Sequence, residues 1–213
     1  MVVREMALVR YINGLIIGNR GERGFFFEMA KWDYDTNYFK NMLEMYAGSG
    51  LSINLKRWAF IGDCLHEEPV ILDYGSGCGM FGLFKPDHVV YDSYDIGNIG
   101  EAKYPQTGIR HDWYTVICFW DVLEHVDWQH EPDEEILNIM QRTDFVAVTL
   151  PIHPEGKPSE GWKHWKPNEH LTYFTEESFI EFMKEQSFEL MLLGQPECPP
   201  RTDITSFLFR NLK

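Results

Sequence analysis

The chain alternates between short apolar runs and stretches whose apolar residues fall at helical spacing. Val70-Ile71-Leu72 reads as a buried strand, because aliphatic residues follow one another without polar relief. Val89 to Asp95, Thr115 to Trp120, Phe145 to Leu150, Phe188 to Leu193 and Thr205 to Arg210 read as further strands, and Pro151 stops the one ending at Leu150. Four helices are expected between and before them. Asp35 or Thr36 opens the first, to Tyr46, with Phe39, Met42, Leu43 and Tyr46 on one face. Ser52 caps the second, with Leu55, Trp58 and Ala59 inward. Pro132-Asp133 opens the third, with Ile136, Leu137 and Met140 inward. Thr175 caps the fourth, to Gln186, and turns Phe179, Phe182 and Met183 inward. This alternation predicts an α/β domain with a parallel sheet covered on both faces. The closing pair of strands places one antiparallel strand at or near the sheet edge.

Two segments fall outside that rhythm. Residues 8–17 set Asn13-Gly14 between two β-prone runs, a strong hairpin signal, and a polar turn follows from Asn19 to Gly24. Residues 1–30 are therefore expected to form a hairpin appendage, a lid or a homodimer contact, on a single domain spanning 31–213. Residues 151–174 form a long stretch with proline, glycine, tryptophan and three histidines. It is too aromatic for simple disorder and is expected to arch over the strand ends as a lid. Residues 96–113 are expected to be mostly loop.

Composition narrows the partners. Asp and Glu number 33 against 19 Lys and Arg, a formal net charge of −14. Such a chain repels nucleic-acid phosphates at long range, so a small-molecule partner is expected and no nucleic acid. No run reaches the roughly 18 apolar residues of a membrane span. The arginines Arg4, Arg10, Arg20 and Arg23 lie among short, broken apolar runs, which does not read as a signal peptide. A cytoplasmic protein is expected. Cys64, Cys78, Cys118 and Cys198 form no CxxC pair and read as reduced thiols.

Three constellations could carry chemistry. Asp73 sits at the carboxyl end of the first core strand, and Tyr74-Gly75-Ser76-Gly77-Cys78-Gly79 follows. Glycines let backbone N–H groups approach a ligand closely, provided the space over Gly75 stays open; a tight turn without ligand is the alternative. Asp95 ends the next strand, 20 residues after Gly75, where a carboxylate can accept the ribose hydroxyls of a nucleoside. Asp92 is its rival within the strand, and either acid can instead be a cap or a solvated loop residue. The second constellation is Trp120-Asp121-Val122-Leu123-Glu124-His125, at the same sheet edge. Asp121 can meet a cofactor there, and His125 can serve as a base or pair structurally with Glu124. The third is Trp162 to Thr175, whose His164, Trp165, His170 and Tyr173 can shape a substrate pocket. His153, His164 and His170 match no zinc spacing, and no metal is expected.

With these motifs in order, the chain resembles the class I S-adenosylmethionine-dependent methyltransferases that act on small molecules. The resemblance rests on Leu72-Asp73-x-Gly75-x-Gly77-x-Gly79, Val122-Leu123-Glu124-His125 and His170-x-x-Tyr173-Phe174-Thr175, and covers about Val70 to Phe188. It implies a Rossmann-like seven-stranded sheet of order 3-2-1-4-5-7-6 with strand 7 antiparallel. It further implies S-adenosyl-L-methionine as cofactor, held by Asp73, Tyr74, Gly75, Ser76, Gly77, Gly79, Asp95 and Asp121. His170 and His125 are then the candidate catalytic residues, with His170 as base, in methyl transfer to a small-molecule or sugar-like acceptor. The departures are specific. Only 20 residues lead from Asp95 to Thr115, so the third strand region is abbreviated and the adenine pocket is left to Asp112. Ser187 stands where the family usually has glycine. Gly77-x-Gly79-x-x-Gly82 also fits an NAD-type oxidoreductase, and a non-catalytic binding protein on the same fold is the third reading.

Overall fold

A computed structural model describes residues 10–12, 15–19, 26–27, 50–97, 106–128, 133–153, 161–166 and 169–213. The helix expected from Asp35 to Tyr46 lies outside them. Six strands make the main sheet: β4 (Val70–Tyr74), β5 (Val90–Tyr94), β6 (Tyr114–Trp120), β7 (Thr143–Pro151), β9 (Phe188–Gly194) and β10 (Ile204–Asn211). Their order is β5-β4-β6-β7-β10-β9. β5, β4, β6 and β7 are mutually parallel, and β10 runs antiparallel to both β7 and β9. This is the expected order with its outermost strand missing among the described residues.

Irregular chain stands beside β5 in place of that strand. The Thr107 and Gly108 N–H groups donate to Ser93 O at 3.1 and 3.0 Å, and Ser93 N–H donates to Thr107 Oγ1 at 2.9 Å. Arg110 Nη2 donates to Tyr91 O at 3.2 Å. Asp92 anchors this stretch from within β5. It is fully buried and accepts from Arg110 N, Arg110 Nε and Tyr114 OH at 3.0, 2.6 and 2.9 Å. Asp92 is thus a structural hub, and the side chain of Asp112, left with the adenine pocket by the sequence, stands out in solvent 3.5 Å from Arg142.

Side chains alternate across the sheet as a half-period pattern demands. On β6, Ile117 and Phe119 join one core cluster while Val116, Cys118 and Trp120 join the other. The first cluster receives α2 (Glu134–Met140) and α3 (Glu176–Glu185). Asp133 caps α2 by accepting from Ile136 N–H at 3.0 Å, and α2 buries Ile136, Ile139 and Met140, with Leu137 only partly covered. Thr175 and Ser178 close a capping box on α3, which buries Phe179, Phe182 and Met183. Each such aromatic contributes roughly 1.5–3 kcal/mol by burial, enough to hold a short helix against its weak intrinsic stability.

The second cluster receives α1 (Gly50–Phe60), whose Trp58 ring stacks on Phe81 at 4.1 Å. Here the expected face is rotated. α1 buries Ile53, Asn54, Arg57 and Trp58 and leaves Leu55 and Ala59 exposed, because Arg57 turns inward to meet buried carboxylates. Only a 3-10 turn, Gly82–Phe84, separates the glycine loop from β5. Cys64, Cys78 and Cys118 are buried free thiols and Cys198 is an exposed one.

A second, smaller sheet has the order β1-β2-β3-β8, with β1 (Arg10–Ile12), β2 (Leu15–Asn19), β3 (Phe26–Phe27) and β8 (Thr172–Tyr173). Ile12 pairs with Leu15 in the register of β1 and β2, and the turn expected at Asn13-Gly14 lies outside the described residues. β3 then pairs Phe26 with Tyr173 and Phe27 with Thr172. The N-terminal hairpin is therefore tied, backbone to backbone, to the segment that carries His170. None of the described helices is long and apolar enough to cross a membrane.

Candidate active site

β4 ends on Asp73, and the chain must then turn sharply over the ends of β5 and β6. Gly75, Gly77 and Gly79 all take positive φ, at 77°, 52° and 75°, in the region that side chains disfavour. The Gly75 and Ser76 N–H groups donate to Tyr94 O at 2.7 and 3.0 Å, which fastens the loop to the end of β5. Asp95 turns back onto the loop rather than out to solvent. Its Oδ2 accepts from Gly77 N–H and its Oδ1 from Gly97 N–H, each at 2.8 Å. Burial raises the Asp95 carboxyl above its usual range, and the two backbone donors oppose that.

Asp73 is more deeply set. It is 1% exposed, its Oδ2 accepts from Tyr91 OH at 2.6 Å, and its Oδ1 is buried with no hydrogen-bond partner. Burial pushes this carboxyl up to about 7, against the pull of Tyr91 and of Arg57. An unpartnered buried carboxylate oxygen at the mouth of a glycine loop is an acceptor waiting for a cation. The open space lies over Gly77, where an added Cβ meets nothing within 4 Å. Over Gly75 the expectation of a clear hollow fails, because the Val122 side chain fills the position a Cβ would take. Tyr74 is a core residue, its ring packed between Tyr94 at 4.9 Å and Phe119 at 5.3 Å.

Asp121 follows β6 at a φ of 58°, with its N–H donating to Thr149 O at 2.8 Å. Its carboxylate is already engaged: Arg201 reaches both oxygens at 2.7 Å and Arg57 reaches Oδ2 at 2.9 Å. Burial alone raises this carboxyl, but the two guanidinium groups outweigh it and hold Asp121 well below the usual range. Glu197, wholly buried, completes the network by accepting from Arg57 Nε at 2.6 Å and Arg201 Nη1 at 2.8 Å. The sequence expectation that Asp121 meets the cofactor is thus corrected to an anchoring role, since a carboxylate bound by two arginines is spoken for. Arg57, Glu197 and Arg201 were not visible as site residues in the sequence, because the contacts span 64 to 140 residues.

The Val-Leu-Glu-His turn and the segment before β8 clamp together. Leu171 N–H donates to Glu124 O at 2.8 Å, Thr172 Oγ1 to Val126 O at 2.6 Å, and His125 Nδ1 lies 2.8 Å from Glu169 O. This brings Glu124, His125 and His170 together, with one donor atom from each within 4.8 Å of the others. The two imidazole rings meet edge to face at 4.9 Å. Burial pushes Glu124 up, helped by the charge of Asp121, and pushes His125 down. It pushes His170 down to about 2, with His125 adding to the effect.

The other histidines go elsewhere. His153 and His164 flank the Trp162 ring at 4.7 and 5.3 Å, and His164 Nε2 pairs with Asp203 at 2.9 Å. Trp165 stacks on Tyr173 at 4.9 Å, and the Tyr173 ring lies 6.1 Å from that of His170.

Comparison with known proteins places this arrangement. Among curated proteins none matches the chain significantly in sequence. Solved structures do. The Burkholderia thailandensis 1,6-didemethyltoxoflavin-N1-methyltransferase, solved with its substrate and S-adenosylhomocysteine, is 13% identical with a TM-score of 0.58, covering 97% of this chain and 100% of that one. The magnesium protoporphyrin IX methyltransferase of Synechocystis, with bound S-adenosylmethionine, is 14% identical with a TM-score of 0.52, covering 84% of this chain and 86% of that one. A 16S rRNA methylase is 12% identical with a TM-score of 0.50, covering 82% of this chain and 91% of that one. At these identities the likeness establishes the fold, and proteins sharing that fold act on small molecules and on RNA alike. Residues 49–193 match the methyltransferase-domain family, well over half of the chain, and the chain belongs to that family.

Proposed function

We propose that the protein transfers a methyl group from S-adenosyl-L-methionine to a small-molecule or sugar-like acceptor. The observation that carries this reading is Asp73: a buried carboxylate with Oδ1 unpartnered, directly before a loop of left-handed glycines on which Asp95 is seated. These residues fit the cofactor. Asp73 would take its ammonium group, the open side of Gly77 would admit its amino-acid end, and Asp95 would receive the ribose hydroxyls with the lone pairs its two backbone bonds leave over. When bound, S-adenosyl-L-methionine supplies an activated methyl group with a neutral thioether as leaving group. The protein's share is then positioning, exclusion of water and management of the acceptor's proton. The half-buried Trp162 and Trp165 rings, packed against Tyr173, would offer apolar surface to an acceptor. The net charge of −14 favours a small acceptor over a nucleic acid.

Calorimetric titration with S-adenosylhomocysteine and, separately, NADH tests the reading. Saturable binding of the first and none of the second is expected, with Asp95→Ala losing at least tenfold in affinity. Binding of NADH alone would overturn the assignment in favour of an oxidoreductase.

A further inference from the structure

We infer that Glu124, His125 and His170 hold a divalent transition-metal cation whose open coordination positions take an oxygen of the methyl acceptor. The inference rests on the methyltransferase reading for the role of the ion, but not for its binding.

The donors are suited in kind and in placement. Two imidazoles and one carboxylate each place a donor atom within 4.8 Å of the other two, so a small inward rotation of the side chains brings all three to the bonds of about 2.0–2.2 Å that a single ion makes. That ligand set suits zinc, manganese, iron or cobalt better than magnesium or calcium, which prefer all-oxygen shells.

Two further observations point to a ligand. Glu124 is 2% exposed and His170 4%, yet Glu124 Oε2 and His170 Nδ1 have no hydrogen-bond partner. A buried carboxylate oxygen and a buried imidazole nitrogen left unpaired together, in a part of the fold otherwise dense with hydrogen bonds, are costly unless something binds both. The support behind His125 is also the kind metal-binding histidines have. A carbonyl only accepts, so the contact between Nδ1 and Glu169 O places the proton on Nδ1. The lone pair is then on Nε2, and the ring is fixed in orientation by a backbone atom.

The backbone makes the site rigid. Leu171 N–H to Glu124 O and Thr172 Oγ1 to Val126 O lock the two ligand-bearing segments together, and β3 pairs with β8 immediately beyond His170. Glu124 and His125 follow Val122, which packs on the glycine loop, by two and three residues.

Three protein ligands leave room for others. An acceptor hydroxyl bound there has its acidity raised and releases its proton to water. Its oxygen lone pair then forms the bond to the methyl carbon as the carbon–sulfur bond breaks, and that electron pair returns to sulfur to leave S-adenosylhomocysteine. The acceptor class is then an oxygen nucleophile.

The test uses the full chain stripped with a chelator and titrated with zinc chloride in a calorimeter. One equivalent should bind to wild type, at least tenfold more weakly to Glu124→Gln and to His170→Ala, while both variants bind S-adenosylhomocysteine within about twofold of wild type. No stoichiometric binding, or variants that bind zinc as wild type does, would overturn the inference. Should either variant melt early, wild type loaded with one equivalent of copper(II) decides the matter by electron paramagnetic resonance. Hyperfine structure from two imidazole nitrogens is expected, and a spectrum of oxygen ligands alone overturns it. Failure of S-adenosylhomocysteine to bind wild type would defeat the methyltransferase reading while leaving the zinc and copper readouts intact.

Discussion

Val122 packs its side chain into the space where Gly75 lacks a Cβ, so the turn after β6 and the turn after β4 lock onto each other. Gly75 is held at a φ of 77° as well, and an alanine there meets both a steric and a conformational penalty. Gly75→Ala is expected to cost about 2–4 kcal/mol of unfolding free energy. Adding Val122→Ala removes the overlap but opens a small cavity. The double variant should therefore cost less than the two single losses added together. Urea denaturation of the three variants measures this non-additivity.

Ser187 supports a prediction of opposite sign. It follows α3 after Gln186 and takes a φ of 70°, the left-handed position where helices commonly end on glycine. Its N–H donates to Lys184 O at 3.0 Å and its carbonyl accepts from Leu212 N–H at 3.0 Å, so the conformation is fixed from both sides. Ser187→Gly relieves the strain of a Cβ in that region and is expected to stabilise the protein by roughly 0.5–1 kcal/mol, less the entropy glycine adds to the unfolded chain. A rise in melting temperature checks it; a fall would mean that the serine hydroxyl contributes a contact worth more than the strain.

Much of this fold was legible because its signals are local. The runs at Val70, Thr115 and Phe145 and the caps at Asp133 and Thr175 declare themselves within a few residues, and each lies where expected. What was not legible depends on distant partners. The inward face of α1 is set by Arg57, which answers to Glu197 and Asp121 far along the chain, so the local pattern misplaced Leu55. That no edge strand stands beside β5 among the described residues was foreshadowed by the short interval after Asp95, but the hydrogen bonds that Thr107 and Gly108 make to β5 have no sequence signature. In the candidate site, the places of Asp73 and Asp95 at the ends of β4 and β5 were readable. The convergence of Glu124, His125 and His170 was not, because it joins two segments 45 residues apart and no spacing rule covers it.

Asp73 should make cofactor affinity depend on pH. Its carboxyl is raised from 3.8 to about 7, so below that pH it is largely protonated in the folded protein. Binding an ammonium group there must first expel the proton. Affinity for S-adenosylhomocysteine is therefore expected to climb as pH rises from about 5.5 to 7.5, by up to tenfold per unit at the acidic end. Asp73→Asn should bind more weakly and lose the slope. Stability moves the other way: with the folded pKa above the unfolded one, the stabilising protonated form is lost between about pH 4 and pH 7 as pH rises. The difference in unfolding free energy between wild type and Asp73→Asn, followed across that window, isolates the contribution. An unchanged affinity profile in the asparagine variant would show that the pH response originates elsewhere.

The Arg57, Glu197, Arg201 and Asp121 network predicts a marked asymmetry between removing one member and removing a matched pair. Glu197 is fully buried and receives Arg57 at 2.6 Å, while Arg57 is only 10% exposed. Truncating Arg57 leaves a buried carboxylate with Arg201 as its remaining cation, and also uncovers the Trp120 ring, which Arg57 overlies at 5.1 Å. Arg57→Ala is expected to cost about 3–5 kcal/mol, the usual penalty for stranding one partner of a buried pair. Arg57→Met with Glu197→Gln removes both charges and keeps the volume, and should recover most of that loss. Because Asp121 keeps Arg201 in the double variant, its strained backbone and the turn that carries Glu124 should hold their place. Affinity for S-adenosylhomocysteine should then track stability only in Arg57→Ala. A double variant as unstable as the single one would show that Arg57 acts through packing on Trp120 rather than through its charge.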